Sequence, residues 1–310
     1  MSKLIDLQSY PVSAALRILL QDKTTKKNII WATDAYQEHG ATFSDTSQIT
    51  KGALLGLDSI VLQPRIEKAL VEQQERTRKK AEVFTPVWLC NLMNNHCDDE
   101  WFGRKGVFNT LLEDHQWIVT EEKIKFPTDK TWQEYVDSRR LEITCGEAPY
   151  LVSRYDVSSG EFILPLQRRI GILDRKLRIV NENAAEKDDW IKWAIRAFQS
   201  CYGYEYQGDS LLIARINLLL TFSDYYSDRW GSEPDVVLVR RIANIVAWNI
   251  WQMDGLNDTV PYGKLDEEYH QNTLFELLGW KELRSDNEAV ACRIMNWRSK
   301  ESCVFRNYKR

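Results

Sequence analysis

"RLEITCGEAPYLVSRYD", residues 140–156, is the stretch that decides the predicted fold of this chain. Residues 141–144 predict a short strand that carries an acid, and the chain then turns at Gly146. Residues 148–155 follow with a composition that predicts a helix. Strand-to-loop transitions of this kind often hold a nucleotide. The stretch therefore predicts a nucleotide-binding loop.

The chain downstream continues the alternation of strands and helices. Further strands are predicted over residues 201–206 and 247–252, with helices over residues 188–200 and 209–226. Asp209 stands where the N-cap of the second helix is expected. Strands that alternate with helices are typical of a parallel sheet covered on both faces. The sequence therefore predicts an α/β fold.

Three acids stand at or near the ends of these predicted strands. Glu142 lies in the first strand, Glu205 in the second, and Asp254 follows the third. Ligands of doubly wound sheets bind beyond the carboxyl ends of the strands. A carboxylate there offers two acceptor oxygens to the vicinal hydroxyls of a ribose. The three acids together predict a nucleoside-containing ligand.

Four segments resemble, in the same order, the motifs of N6-adenine DNA methyltransferases of restriction-modification systems. The resemblance covers residues 81–256, and its order is that of modification subunits and fused type II enzymes. It implies a Rossmann-like, S-adenosylmethionine-dependent methyltransferase fold. The segments are FTPVWLCNLMNN (84–95), LEITCGEAPYL (141–151), YGYEYQGDSLLIARINLLL (202–220) and NIWQMDGL (249–256).

The resemblance also implies a cofactor site. It puts the first segment beside S-adenosylmethionine, the second around its methionine part, Glu205 on its ribose and Asp254 on its adenine amine. The cofactor-binding residues implied in this way are Phe84, Thr85, Pro86, Glu142, Cys145, Gly146, Glu205 and Asp254.

The chain departs from the family pattern in its first cofactor motif. Glu147 stands where a small hydroxyl residue is usual, and Ala148 stands where the family has glycine. Either Glu147 disfavours a bound carboxylate by like charge, or it faces solvent. The long interval between Gly146 and Glu205 predicts an insertion at about residues 156–186.

The catalytic Asn/Asp-Pro-Pro-aromatic motif of the family is missing from the chain. In these enzymes the motif holds the target amine while its aromatic residue stacks on the flipped base. Two segments come near it, TVPYG (259–263) and MNWR (295–298). They make Pro261, Tyr262, Asn296 and Trp297 weak catalytic candidates, and a structural role for each is the alternative.

The sequence predicts a mainly helical N-terminal region over residues 1–80 and a methyltransferase-like α/β domain over residues 81–310. Apolar positions at helical spacing predict N-terminal helices over residues 13–20 and 60–78. A further helix is predicted in the FTP segment, with Thr85 as its cap and Pro86 in its first turn. Its predicted apolar face is formed by Leu89, Leu92 and Met93.

Composition bounds the remaining possibilities. The 310 residues carry a formal net charge of −4, which argues against indiscriminate coating of nucleic acid, although residues 75–80 and 298–310 are basic patches that suit DNA or plain surface. No apolar run is long enough for a membrane span, and the start lacks a secretory signal. We therefore expect a cytoplasmic protein with reduced cysteines. Cys90, His96 and Cys97 lack a fourth ligand, so no metal site is predicted.

Two hypotheses follow for the function. The first is an S-adenosylmethionine-binding protein of the DNA adenine methyltransferase type, from a restriction-modification or phage-defence context. The second is a degenerate module that binds the cofactor or DNA and depends on a partner subunit for target recognition or catalysis.

Overall fold

The computed structural model describes residues 4–68, 85–262 and 290–308. Phe84, the basic patch at residues 75–80 and the second half of the predicted helix over 60–78 lie outside these ranges. Within the described ranges, none of the helices is both long and apolar enough to cross a membrane.

A three-stranded parallel sheet lies at the centre of the chain, which is a mixed α/β protein. Its strands are β3 (Arg140–Glu142), β4 (Cys201–Glu205) and β5 (Ile250–Gln252), in the order β3-β4-β5. Glu142 is in register with Gly203, and Glu205 with Gln252. The three strands predicted from the sequence are confirmed.

Strands β3 and β5 are shorter than predicted, each for a different reason. Thr144 has a φ of 46°, in the left-handed region that a β-branched residue rarely adopts, so β3 ends before it. The first residues of the strand predicted over 247–252 belong instead to helix α8 (Val236–Asn249).

Helices surround the sheet. Two of them, α5 (Ile172–Asn183) and α6 (Lys187–Gln199), connect β3 to β4, and α7 (Gly208–Trp230) connects β4 to α8. The predicted helices over 188–200 and 209–226 are therefore confirmed. Asp209 is not the N-cap of α7, which is Gln207. It lies buried in the first turn, 3.2 Å from Lys68 Nζ, and accepts a hydrogen bond from Tyr36 Oη at 2.9 Å.

Residues 4–68 are less helical than predicted. Beside three short 3₁₀ turns they form only α1 (Val12–Leu19) and α2 (Lys51–Leu55). Residues 60–64 are not helical, because Pro64 has a ψ of 150° and a proline disfavours helical geometry in the residue before it. Ile5, Leu16 and Trp31 share one continuous core with the helices on the sheet.

The remaining elements flank this core. Helix α3 (Val87–Phe102) is followed by the hairpin of β1 (Asn109–Leu111) and β2 (Trp117–Val119), and by α4 (Trp132–Asp137). A second hairpin, β6 (Arg293–Asn296) and β7 (Glu301–Val304), covers one face of β4 and β5.

Helix α3 differs from its prediction in its start and in its buried face. Pro86 is the N-cap, with a ψ of 145°, and Thr85 forms no capping hydrogen bond. Leu92 and Met93 are exposed, whereas Asn91, Asn94 and Asp98 are buried. The buried face is polar because it meets polar groups on other elements. Arg175 Nη1 lies 2.6 Å from Asp98 Oδ2, and Asn94 Nδ2 donates to the Ile170 carbonyl at 2.9 Å.

The helix predicted over residues 148–155 is absent, and turns take its place. Ala148 has a φ of 65°, which lies outside right-handed helical geometry. The amides of Tyr150 and Leu151 donate to the Glu142 carboxyl group, and the Leu151 amide also donates to the Ala148 carbonyl in a turn. A side-chain acceptor therefore competes here with the backbone acceptors that a helix needs.

Hydrogen bonds join the N-terminal segment to Gly208 at the start of α7 and to Gln252 at the end of β5. The Gly208 amide donates to the Trp31 carbonyl at 2.8 Å. The Gln252 side chain accepts from the Ile30 amide and donates to the Ile30 carbonyl, each at 2.9 Å. A Cβ on Gly208 would lie 1.9 Å from the Ile30 carbonyl oxygen, so this approach requires glycine.

We predict that Gly208→Ala lowers the free energy of unfolding by about 1–3 kcal/mol, because the added methyl group must displace the backbone at Ile30. Urea denaturation measures the change. Gly52→Ala is the matched control, since Gly52 lies in α2 with 3.7 Å of space and no positive φ. Equal stability of the two variants would contradict the close approach.

Candidate functional site

A cavity of about 1010 Å³ opens at the carboxyl ends of β3 and β4. The two strands contribute Glu142 and Glu205, and the loop after β3 forms one wall. Of the residues predicted to bind the cofactor, the cavity brings together Thr85, Glu142, Cys145, Gly146 and Glu205.

Glu142 is a buried acid on the cavity wall. Its Oε1 accepts from the Tyr150 amide at 3.3 Å, and its Oε2 accepts from the Leu151 amide at 3.1 Å. Burial raises the pKa of Glu142 to about 8, against the opposing effect of these two hydrogen bonds. Glu142 is therefore mostly a neutral acid at pH 7 in the free protein.

Glu205 joins the two strand ends. Its Oε2 accepts from the Gly146 amide at 2.9 Å, and its Oε1 accepts from the Gln207 amide at 3.1 Å. Burial raises the pKa of Glu205, while the backbone hydrogen bonds oppose that rise. Each carboxylate oxygen has a second lone pair, so both remain able to accept from a ligand.

The loop between β3 and the cavity has an unusual backbone. Thr144, Gly146 and Ala148 all have positive φ, at 46°, 52° and 65°. The Cys145 amide donates to the Tyr204 carbonyl at 2.8 Å, which ties the loop to β4. Non-glycine residues in this conformation cost about 1–3 kcal/mol each and are concentrated at functional sites. Two such residues, Thr144 and Ala148, therefore stand in the loop that forms this wall of the cavity.

Two polar residues of the loop have structural partners. Glu147 accepts from the Arg65 amide at 2.7 Å and from Tyr155 Oη at 2.8 Å, so it does not face solvent freely. Cys145 is buried against Gly203, and burial raises the pKa of its thiol well above the usual value. Because a nucleophilic cysteine needs its thiolate, this environment disfavours nucleophilic chemistry at Cys145.

Other residues predicted for the cofactor site lie outside the cavity lining. Pro86 caps α3. Asp254 closes its own turn, accepting from the Leu256 amide at 2.9 Å and from Asn257 Nδ2 at 2.8 Å. Asp254 therefore does not line the cavity that Glu142 and Glu205 share.

Of the four catalytic candidates, the cavity contains only Tyr262. Its ring centroid lies 6.1 Å from that of Tyr206, and a hydrogen bond with Tyr206 is the main cause that raises its pKa. Pro261 is buried outside the lining.

Asn296 is the last residue of β6 and Trp297 begins the turn of the C-terminal hairpin, and neither lines the cavity. The Asn296 side chain accepts from the Arg298 amide at 3.1 Å, which orders this turn. Trp297 Nε1 donates to Asn249 Oδ1 at 2.7 Å, on helix α8. These hydrogen bonds give both residues a structural role.

Sequence reasoning missed some residues of the cavity wall, among them Asn94 and Tyr206. Asn94 donates to the Tyr150 carbonyl at 2.9 Å and so holds the loop against α3. The spacing of Asn91, Asn94 and Asp98 in the sequence matches one face of a helix and could have indicated a buried polar face. Tyr206 could have been found as the residue after Glu205.

The described ranges contain no group of three or more His, Cys, Asp or Glu side chains that could hold a metal ion. Cys90 is buried, whereas Cys97 and His96 are exposed.

No protein-family model matches the chain, and no curated protein or solved structure is significantly similar to it. The function is therefore inferred from the geometry of the site and from the resemblance in the sequence.

The raised pKa of Glu142 predicts how the free energy of unfolding depends on pH. The folded state keeps the proton up to about pH 8, whereas the unfolded chain loses it near pH 4.5. The folded state binds more protons between these values, so the contribution of Glu142 to stability falls as the pH rises, by up to about 1.4 kcal/mol per pH unit. Glu142→Gln removes this dependence.

We therefore predict that Glu142→Gln gains stability relative to the wild type between pH 5 and pH 7. Urea denaturation at several pH values measures the difference in unfolding free energy. Glu161→Gln, at an exposed position, serves as the control. A pH-independent difference between Glu142→Gln and the wild type would show that Glu142 is ionised in the folded protein.

Proposed function

We propose that this cavity binds S-adenosylmethionine, and that the protein is of the DNA adenine methyltransferase type, from a restriction-modification or phage-defence context. The observation that carries the proposal is the placement of Glu142 and Glu205. They end two neighbouring parallel strands and line the same cavity. This is where the resemblance predicts the methionine part and the ribose of the cofactor.

The cavity suits such a ligand in size and in chemistry. Its volume, about 1010 Å³, is at the upper end of the range typical for small-molecule sites. Glu205 offers acceptors to the ribose hydroxyls, and the loop of Cys145 and Gly146 forms the wall beside the methionine part. Tyr206 and Tyr262 add an aromatic surface at the same cavity. A positive sulfonium beside Glu142 and Glu205 would favour the ionised form of both carboxyl groups, whose pKa values burial raises.

Methyl transfer from this site requires a substrate amine to attack the methyl group in line. If bound in this cavity, S-adenosylmethionine would supply the methyl group for transfer to that amine. The contribution of the protein is to position the two reactants and exclude water.

A second function is favoured by the positions of the catalytic candidates. Only Tyr262 lines the cavity, and the polar side-chain groups of Asn296 and Trp297 are engaged elsewhere. Without an acceptor for the target amine, the chain is a cofactor-binding module that depends on a partner subunit for catalysis or target recognition.

The described part of the C-terminal basic patch gives little support for a DNA contact. Arg298 Nη2 lies 2.7 Å from Asp137 Oδ2, and Arg306 Nη2 donates to the Asn257 carbonyl at 2.6 Å. Both arginines therefore have intramolecular partners. DNA as a partner and a cytoplasmic location remain part of the proposal.

We predict that isothermal titration calorimetry detects binding of S-adenosylmethionine, and that Glu205→Gln weakens it about tenfold or more, through the loss of charged acceptors for the ribose. Glu161→Gln is the control for a charge change at an exposed position. Absence of heat with the wild-type chain would reject the cofactor, and unchanged affinity in Glu205→Gln would reject the role of Glu205.

Asp254→Ala tests the adenine contact that the resemblance implies. Because Asp254 closes its own turn outside the cavity lining, we expect this variant to weaken binding less than Glu205→Gln does. An equal or larger loss would show that Asp254 leaves its turn and binds the ligand.

Transfer of a labelled methyl group to adenine-containing DNA separates the two functions. Transfer by the purified chain alone supports the enzyme. Binding without transfer supports the module.

A further inference from the structure

Arg140 is a cationic residue of the cavity wall whose guanidinium has no partner in the described part of the chain. The residue lines the cavity and is half-buried. No described side chain or carbonyl accepts a hydrogen bond from the guanidinium, and its Nη2 atom is buried. Burial of a charge costs free energy unless the charge is paired. An anionic group of a ligand in the cavity can therefore supply the missing partner.

The groups around Arg140 leave its charge uncompensated. Burial lowers the pKa of Lys176, and the nearby charge of Arg140 lowers it further. Asp137, an acid that also acts on Lys176, is already in ion pairs with two other arginines. Glu142 is mostly neutral at pH 7, because burial raises its pKa to about 8. This side of the cavity is therefore positively charged.

The rest of the wall is acidic, which restricts where a ligand anion binds. Glu142, Glu147 and Glu205 line the cavity, and an ionised carboxyl group disfavours an anion beside it. Among the described residues, the lining contains two cationic side chains, those of Arg65 and Arg140. The Arg65 amide donates to Glu147 at 2.7 Å, so Arg65 lies beside an acid. Arg140 is therefore the cation to which an anionic group binds most favourably.

Arg140 and Glu142 present their side chains on one face of β3. Alternate residues of a strand share a face, and their Cα atoms lie about 7 Å apart. The exposure of β3 follows this alternation, since Leu141 is 46% exposed between the half-buried Arg140 and the buried Glu142. An α-amino acid carries its carboxylate and its ammonium on one carbon. It can therefore bind Arg140 with the first group and Glu142 with the second.

We infer that Arg140 binds the α-carboxylate of the amino-acid part of the cavity ligand and makes the cavity selective for ligands that keep this group. The inference rests on the proposed function, in which the methionine part of S-adenosylmethionine lies beside Glu142, Cys145 and Gly146. The planar guanidinium can donate to both oxygens of a carboxylate. The Glu142 carboxyl group retains acceptor capacity for the ammonium.

Decarboxylated S-adenosylmethionine tests this contact. The compound keeps the nucleoside, the sulfonium and the amine and lacks the carboxylate. In isothermal titration calorimetry, we expect the wild type to bind S-adenosylmethionine about tenfold or more tightly than the decarboxylated compound, because hydrogen bonds between charged groups are lost with the carboxylate.

Variants of Arg140 assign the preference to this residue. Arg140→Met keeps a long side chain without the charge or the donors, and we expect it to bind S-adenosylmethionine about tenfold or more weakly, with little change for the decarboxylated compound. Arg140→Gln, with a polar end group, is the second variant should the first not fold, and the same selective loss is expected. Arg139→Met is the matched control, since Arg139 is exposed and its guanidinium carbon lies 5.7 Å from the ring centroid of Tyr308.

The two compounds separate failure of the inference from failure of the cofactor. Equal affinity of the wild type for both compounds would overturn the inference and leave the cofactor in place. Equal losses for both compounds in the Arg140 variants would also overturn it, because they would show that Arg140 shapes the cavity and does not bind the carboxylate. Binding of neither compound by the wild type would reject the cofactor, and the inference with it.

Discussion

The geometry of the site depends on the hydrogen bonds that the Glu205 carboxylate accepts. It lies at the end of β4 and accepts one amide from the loop after β3 and one from the residue that caps α7. A single side chain thereby fixes the loop and the helix start relative to the sheet. Positive φ at Thr144 and Ala148 is tolerated because hydrogen bonds hold the loop. Glu205 accepts from the Gly146 amide, the Tyr204 carbonyl accepts from the Cys145 amide, and Glu142 accepts from two amides that follow the loop.

The strands and the acids at their ends could be predicted from the sequence because their signals are local. A short apolar run with an acid before a turn predicts the end of a strand from local sequence alone. As expected, Glu142 and Glu205 line one cavity at the carboxyl ends of their strands. Strand lengths could not be predicted in the same way. The end of β3 depends on the conformation of Thr144, which contacts with β4 impose.

The wrong predictions for α3 and for residues 148–155 have one physical cause. Periodicity assumes apolar contacts on a buried face and backbone hydrogen bonds within a helix, whereas here polar side chains make the contacts. On α3 the amides and the carboxylate face inward because Arg175 and the Tyr150 and Ile170 carbonyls need partners. Residues 148–155 are not helical because Glu142 takes two of their amides. Asp254 is placed correctly after its strand, yet its own turn satisfies its carboxylate. The partners of Asp254 are local, but those of Glu142 and of the buried face of α3 lie eight or more residues away, so one sequence alone does not reveal them.

The neutral acid at position 142 has a consequence for how the cavity meets any cationic ligand. A positive group beside Glu142 favours its ionised form, so uptake of such a ligand is coupled to release of a proton. The heat of association then includes the ionisation heat of whichever buffer accepts that proton. Binding of a cation beside Glu142 would therefore exchange it for a proton, and the apparent affinity for that cation would rise with pH until Glu142 is ionised in the free protein.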